Sequence, residues 1–496
     1  MKEIVIIGGG IAGLCTGIRL LHNGFHVTIY EKCCHTGGSA GHLSYQKSDV
    51  LYSCDSFSSI PVHPQEYKTV FTECGLNPEA YYQTIPLTDL YQLFLENGAA
   101  YTLSTHYMLN PESFENFFGE SVSGYEQFIQ NYYSKYQILT NEFMEQPLFH
   151  LSDLFHQKNT HIMKQLNPLP KASDSLSNYI KSPVLKKFIL FQTLYMGFSP
   201  YKMSNLYLTI PACIQKMGLG QIIGGTGAYV KGLETAFLAC GGILKTNSMV
   251  EKILFEGSKA CGIMTDNKVI KADAICCCCD YTSIFSILPT NIHLSRRFRP
   301  KQSKNQMSYS VFMLRLVFPE VLKNFSVHNI YLNDCFRTEC KRLEHHLLPQ
   351  NPPLYLYYPA AVDSSFQKNG FTSMNIMMRV PNLSARIVWD NHTIFLLRNI
   401  CLNALENMAG SAIRGKIVGE FYSTPLDLKN SFVYHQGGAF GFAPTLTQSL
   451  CFRPQVKKKG VDNLYFAGNS IHPGSGISIV MKGARNAAEQ ISNELL

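Results

Sequence analysis

The chain opens on four consecutive apolar positions, Ile4 to Ile7, held between Glu3 and a run of three glycines; this predicts a short buried strand over 3–7. Over 11–23 the apolar residues return at helical spacing (Ile11, Leu14, Ile18, Leu21), and Gly24 supplies the stop. Residues 26–30 (HVTIY) read as a second strand that ends at Glu31. Strand, helix and strand in so short a stretch make a βαβ unit. From 65 to about 215 the chain is rich in Tyr, Phe, Leu and Asn, with helical stretches around 112–144 and 174–196. A glycine cluster at 218–227 precedes a helical run over 228–239, a Gly241-Gly242 turn and paired strands around 249–254 and 259–276. Residues 286–430 read as mixed strand and loop. A strand over 463–467, a Gly-rich turn and an amphipathic helix over about 477–494 follow.

Composition narrows the class. A chain of 496 residues carries two to four domains at ordinary domain size. With 46% apolar and 16% charged residues it has material for large cores, which excludes a disordered or collagen-like chain. The net charge of +8 is mild and diffuse; it suits an anionic membrane surface and does not mark a nucleic-acid binder. No stretch of 18 apolar residues occurs, so no spanning helix is expected, and the start lacks the apolar core and cleavage site of a signal peptide. Sixteen cysteines, several adjacent (Cys33–Cys34, Cys276 to Cys279), read as free thiols in a reducing cytosol. The expected location is therefore cytoplasmic, with peripheral attachment to the inner face of the membrane as an option.

Chemistry enters at the first turn. Gly8-Gly9-Gly10-Ile11-Ala12-Gly13 fits G-x-G-x-x-G between a strand and a helix. Gly8 permits the turn, Gly10 lets backbone approach a pyrophosphate on the helix N-terminus, and Gly13 lets the helix pack close to the strand. Glu31 is placed to accept from ribose hydroxyls and disfavours a 2′-phosphate. A dinucleotide site is expected here. A second glycine pair, Gly37-Gly38, follows Glu31 by six residues and favours FAD over NAD. Near the other end, Gly468-Asn469 closes a strand and His472-Pro473-Gly474-Ser475-Gly476-Ile477 opens a helix whose N-terminus would face the negative charge of a reduced flavin.

With these residues in view, the chain resembles the phytoene desaturase type of carotenoid oxidoreductase, which includes bacterial phytoene and dehydrosqualene desaturases. The matches run nearly end to end. Besides the two glycine motifs they include Tyr195-Met196-Gly197-Phe198-Ser199-Pro200, VPNL at 380–383, GGAFGFAPTLTQS at 437–449 with FRP at 452–454, and NLYFAGNSIHPGSGI at 463–477. The resemblance implies non-covalent FAD, a hydrophobic substrate tunnel, peripheral membrane attachment and redox or isomerisation chemistry on polyene or polyisoprenoid chains. The chain departs from the family pattern at four places. Ser39 stands where Arg is usual, Phe57 where an Asp-x-Gly-Pro segment has Gly, Asn occupies 469, and Gln221-Ile222-Ile223 replaces an aromatic-Pro-x.

The reading is an α/β protein. A discontinuous Rossmann-type FAD-binding domain spans 1–62, 220–285 and 431–496, and an α+β substrate domain spans 63–219 and 286–430. The expected cofactor-binding residues are Gly8, Gly10, Ile11, Ala12, Gly13, Glu31, Lys32, Gly37, Gly38, Ser39, Val250, Gly468, Asn469, Gly476 and Ile477. The expected activity is FAD-dependent dehydrogenation of a long apolar polyisoprenoid or carotenoid-like chain. A redox-neutral isomerase, a saturase, and an oxidase of another hydrophobic natural product are the alternatives, as is a degenerate relative that binds FAD poorly. His472 either contacts cofactor or substrate or makes a structural hydrogen bond, and no catalytic base is named. Expected partners are a hydrophobic small molecule and a membrane surface, with no nucleic acid and no metal. Cys276 to Cys279 contains a CxxC that reads as buried strand, and Glu344-His345-His346 reads as a solvated loop. Arg296-Arg297-Phe298-Arg299-Pro300-Lys301 with Lys304 is a candidate lipid-docking patch, and Lys457 to Lys459 a second.

Overall fold

The computed structural model describes residues 1–47, 50–57, 60–148, 157–289 and 305–496. Five parallel strands form one sheet, in the order Leu464–Phe466, Ala274–Cys277, Glu3–Ile7, His26–Tyr30, Ile243–Lys245. Their apolar runs suit a sheet covered on both faces, and side-chain alternation sorts the two covers. Ile4, Ile6, Ala274, Cys276 and Tyr465 face the helices Ile11–His22, Gly225–Ala239 and Ile477–Leu495. Val5, Ile7, Ile275, Cys277, Leu464 and Phe466 face an antiparallel meander of Val250–Glu256, Lys259–Thr265 and Lys268–Lys271. The 259–276 stretch is thus three strands rather than one arm of a pair. Asp266 and Asn267, both at positive φ, turn the chain between the first two, as a two-residue hairpin requires.

A second sheet has seven strands in the order Gly419–Ser423, Ser310–Phe318, Thr372–Val380, Leu354–Tyr357, His328–Leu332, Asp89–Leu95, Ala100–Ser104. Only the His328–Leu332 and Asp89–Leu95 pair runs parallel. Phe312, Leu314, Leu316, Met374, Ile376, Met378, Leu354 and Leu356 turn to one face, where Leu397, Cys401, Leu402 and Leu405 of the helix Asn391–Ala409 pack on them. Met313, Met377, Tyr355, Tyr357 and Ile330 turn to the other face, under a helical layer that includes Val122–Leu139, Pro183–Thr193 and Thr209–Met217.

The helices Phe336–Glu344 and Asn391–Ala409, and most of Pro425–Phe432, lie in the stretch read as mixed strand and loop. The longest is properly bounded: Asp390 accepts from the Thr393 N–H at 2.8 Å, and Gly410 ends it in the left-handed region. The helix predicted over 228–239 starts earlier, at Gly225, because its first N–H groups are held from another segment. Among the described residues no helix is long and apolar enough to cross a membrane.

Candidate flavin site

The first glycine turn is built as its spacing requires. Gly8 lies at φ +105°, with its N–H donating to the Tyr30 carbonyl at 2.9 Å. A Cβ on Gly13 would lie 2.0 Å from the Gly8 carbonyl oxygen, so only glycine allows this helix to sit so close to the strand. At Gly10, by contrast, a Cβ would meet nothing within 4 Å. Glu31 is buried, and its two carboxylate oxygens accept from the backbone N–H groups of Gly9 and Cys33, each at 2.8 Å. The carboxylate thereby ties the end of the second strand to the turn. Gly37 reaches back to the same turn, donating to the Gly9 carbonyl at 2.9 Å.

These segments enclose a cavity of about 420 Å³. Of the residues expected to bind cofactor, Gly8, Gly10, Ile11, Ala12, Glu31, Lys32, Gly37, Gly38, Ser39, Val250, Gly468, Asn469 and Ile477 line it. Gly13 and Gly476 do not: one lies in the helix–strand contact, the other serves as the N-cap of Ile477–Leu495. His472 lies outside the lining as well. It is buried, and its Nε2 donates to the Phe143 carbonyl at 2.7 Å, while burial lowers its pKa to about 4.

Sequence reasoning missed the wall opposite the first turn, formed by Asp280, Ser431, Phe432, Val433 and Tyr434. Tyr434 is its keystone. Its hydroxyl lies 2.6 Å from Ser39 Oγ and accepts from Asn469 Nδ2 at 3.3 Å, joining three distant segments at the cavity. Two of the departures from the family pattern therefore bond to one hydroxyl. Phe57, a third, packs edge-on against Phe432 at 6.5 Å. The weak sequence signal for this wall is its position directly before the glycine-rich 437–442 segment.

The donor set fits a dinucleotide flavin. The helices beginning at Ile11 and Ile477 both open on the cavity, and neither has a side-chain cap, so their first N–H groups remain available to anionic oxygens. Space at Gly10 and the Glu31 carboxylate complete the set. The match to a family model decides the matter: that of the flavin containing amine oxidoreductases covers residues 11–492. The chain belongs to the flavin-containing amine oxidoreductase family. As a member it is an FAD-dependent oxidoreductase.

Within this flavin-containing family, the chain is 28% identical over 501 aligned positions to a 4,4'-diapophytoene desaturase (4,4'-diaponeurosporene-forming) of Staphylococcus aureus, covering 99% of each chain. Among solved structures it resembles an oxidoreductase from Methanosarcina mazei, with a TM-score of 0.65, 15% identity, and 98% and 100% coverage of the two chains. Putrescine oxidase bound to putrescine has a TM-score of 0.63 at 10% identity, with 100% and 98% coverage. These two likenesses establish the fold shared by flavin-containing amine oxidoreductases.

Asp55 is fully buried and accepts from the backbone N–H groups of Thr226 and Gly227 at 3.2 and 3.3 Å, in the first turn of the helix Gly225–Ala239. His42 Nδ1 lies 3.5 Å away. Burial dominates and raises the Asp55 pKa from 3.8 to about 6. The folded chain holds this proton more tightly than the unfolded chain does. The resulting stabilisation is full below about pH 4 and is lost as the pH rises through about 6. An Asp55→Asn variant, which keeps an acceptor for one of the two N–H groups and cannot titrate, is expected to flatten this slope. In urea unfolding at pH 4.5 and 7.5, the difference between the two pH values should shrink by roughly 2–3 kcal/mol relative to the parent; an unchanged slope would contradict the assignment.

The weaker sequence signals resolve differently. Cys276 and Cys277 are buried strand residues, and among the described residues no group of three or more His, Cys, Asp or Glu is placed to hold a metal. Glu344 is not a solvated loop residue: it ends the helix Phe336–Glu344, accepts from Ser199 Oγ at 2.5 Å and pairs with Lys202 at 3.1 Å. Lys457 is paired with Glu494 and lies over the Tyr465 ring, so it is not a free basic group. The Arg296–Lys304 patch lies outside the described residues.

Proposed function

We propose that this FAD-dependent oxidoreductase dehydrogenates a long apolar chain of the polyisoprenoid class. The observation that carries the reading is the span of the similarity to the diapophytoene desaturase. It runs over 99% of both chains, so it includes the half of the molecule that does not hold the nucleotide. The inner face of the seven-stranded sheet supports it: Met313, Met377, Tyr355, Tyr357, Phe191 and Phe198 are buried there, suited to an apolar molecule held out of water. In this reading residues 1–62, 220–285 and 431–496 form the cofactor half, and 63–219 with 286–430 the substrate half.

When bound, the FAD supplies the acceptor for the hydride that dehydrogenation of a CH–CH unit releases. The chain's own contribution is placement. Glu31 would hold the ribose, the N–H groups at Ile11 the pyrophosphate, and the N-terminus of Ile477–Leu495 would favour negative charge on the ring. Asn469 donates to Tyr434 Oη, which also pairs with Ser39 Oγ, and the three together hold this wall of the cavity in place. Apolar side chains above that wall exclude water. Attachment to a membrane surface, from which such a substrate would be drawn, belongs to the same proposal.

A second reading, oxidation of a smaller hydrophobic molecule, is favoured by Phe57. With Phe432, Tyr434 and Phe440 it forms an apolar cluster beside the cavity, where a smaller residue would leave room. One experiment separates the two. The purified FAD enzyme is mixed anaerobically with liposomes carrying diapophytoene, and the visible spectrum and lipid extract are followed. Bleaching of the flavin band with a longer polyene in the extract supports dehydrogenation of the long chain. An intact band and unchanged lipid reject that hydrocarbon as the substrate, and bleaching by a smaller hydrophobic molecule in its place supports the second reading.

A further inference from the structure

On the inner face of the seven-stranded sheet, where an apolar wall would suffice, the fold buries a cation. Arg379, in the strand Thr372–Val380, is 9% exposed. Its Nε donates to the Leu194 carbonyl at 3.2 Å, just past the C-terminus of Pro183–Thr193, and its guanidinium lies 4.9 Å from the centroid of the Phe440 ring. Its Nη1, inaccessible to water, has no hydrogen-bond partner. Among the described residues no carboxylate pairs with it, and the nearest polar group acting on it electrostatically is Tyr195. Burial lowers its pKa only to about 10, so the group is charged at neutral pH.

Arg379 does not stand alone. His328 Nε2 is also buried without a hydrogen-bond partner, and beside it the buried Tyr91 hydroxyl faces that of Tyr195, whose own proton has no acceptor. They form a connected set: the Tyr195 ring meets Tyr355 at 5.8 Å, Tyr355 Oη lies 2.7 Å from His328 Nδ1, and His328 meets Tyr91 at 6.1 Å. Buried polar groups are normally satisfied, and a buried cation with an idle donor is costly unless something pairs with it. The helix C-terminus and the Phe440 ring offset only part of that cost. Met313 and Met377, opposite one another in register on this face, are flexible side chains able to make room for a ligand. The set lies toward the cofactor. Phe440 is followed by Gly441, where a Cβ would fall 2.5 Å from Ser470 Oγ, next to Asn469 of the cofactor cavity.

We propose that Arg379 Nη1 and the Tyr195 hydroxyl bind a carboxylate at one end of the substrate, so that the preferred substrate is an isoprenoid acid rather than a hydrocarbon. This rests on the long-chain reading above and specifies its substrate class. A carboxylate supplies what the site lacks: a counter-charge for the guanidinium and an acceptor for the tyrosine O–H.

The test uses the FAD-bound enzyme and three C20 isoprenoid probes that differ only at the terminus: geranylgeranoic acid, geranylgeraniol and the corresponding hydrocarbon. Binding is read from perturbation of the flavin spectrum. The parent enzyme should bind the acid at least about tenfold more tightly than the alcohol. Arg379→Met should erase that preference while changing alcohol and hydrocarbon binding less than about twofold, and Tyr195→Phe should weaken it without touching the hydrocarbon. The melting temperature gives an independent readout. Removal of an unpaired buried charge should leave it unchanged or higher, whereas a purely structural Arg379 would lower it. Equal binding of the three probes by the parent, or an acid preference that survives both variants, overturns the proposal and leaves the long-chain reading standing. Failure of all three probes to bind overturns both.

Discussion

A Gly13→Ala chain is expected to purify without the yellow of bound flavin and to unfold earlier than the parent, whereas Gly10→Ala should lose the flavin and keep its stability. The two glycines sit three residues apart in one turn, yet their missing side chains face different things. At Gly13 an added Cβ would lie 2.0 Å from the Gly8 carbonyl oxygen and 3.3 Å from the Ile6 side chain. Backbone cannot swing aside as a side chain can, so the helix must back away from the strand Glu3–Ile7. Overpacking of that kind costs about 1–3 kcal/mol, and it also displaces the N–H groups at the head of the helix. At Gly10 nothing lies within 4 Å and the backbone is extended, at φ −73°, which alanine adopts freely. A methyl group there fills only the space open to the cofactor. Both variants should bind FAD at least ~100-fold more weakly, a loss of roughly 3 kcal/mol. Thermal melts of the apoproteins separate them. A Gly10→Ala chain that melts well below the parent, or one that retains flavin, would contradict the assignment of that space.

Replacing Lys482 by Met should destabilise the fold by about 3–5 kcal/mol, and replacing Glu66 by Gln in the same chain should return much of the loss. Lys482, on the last helix, is 4% exposed and lies 2.8 Å from Glu66 and 3.1 Å from Glu145. Glu66 opens the helix Glu66–Thr72 and is 7% exposed, with Arg485 at 3.6 Å as its other cation. Removing the lysine leaves a carboxylate that water cannot reach and that Arg485, shared with Glu73 at 2.5 Å, covers incompletely. It is the stranded charge, rather than the lost attraction, that carries most of the effect. The double variant is therefore the informative one. Urea unfolding of the parent, both single variants and the double variant completes the cycle, and additive losses would show that the two groups do not act as a pair.

The sequence disclosed what was encoded locally. The first turn was legible because an apolar run, a glycine spacing and a helical periodicity adjoin one another between Ile4 and Leu21. Leu464–Phe466 and the helix after Gly476 were legible for the same reason. Tyr434 was not: neither periodicity nor spacing points to it, and its role arises only because Ser39 and Asn469 meet it from far along the chain. Ser39 looked like a lost charge until its partner was in view. The helix Asn391–Ala409 was hidden by its own surface, since Phe395 and Leu396 are exposed hydrophobics that blur the stripe formed by Leu397, Cys401, Leu405 and Met408. Arg379 follows a buried apolar run, Ile376 to Met378, and no local rule distinguishes an idle buried guanidinium from a paired one. Glu66 and Lys482 likewise give no sign, from two such distant positions, that they will be neighbours.

The parallel sheet also sets a timetable for synthesis. Ile4 pairs with Ala274, so one edge of the strand Glu3–Ile7 has no partner until some 270 further residues have been made. Ile275 in turn waits for Leu464. At about 5–20 residues per second the nascent chain presents that apolar edge to the cell for on the order of 15–60 s. Throughout that interval it is a ready template for pairing with another copy. The yield of this protein in a heterologous host is thus expected to respond to chaperone supply as well as to the stability of the finished molecule. Slower induction acts while the sheet is still incomplete, by keeping fewer nascent chains within reach of one another.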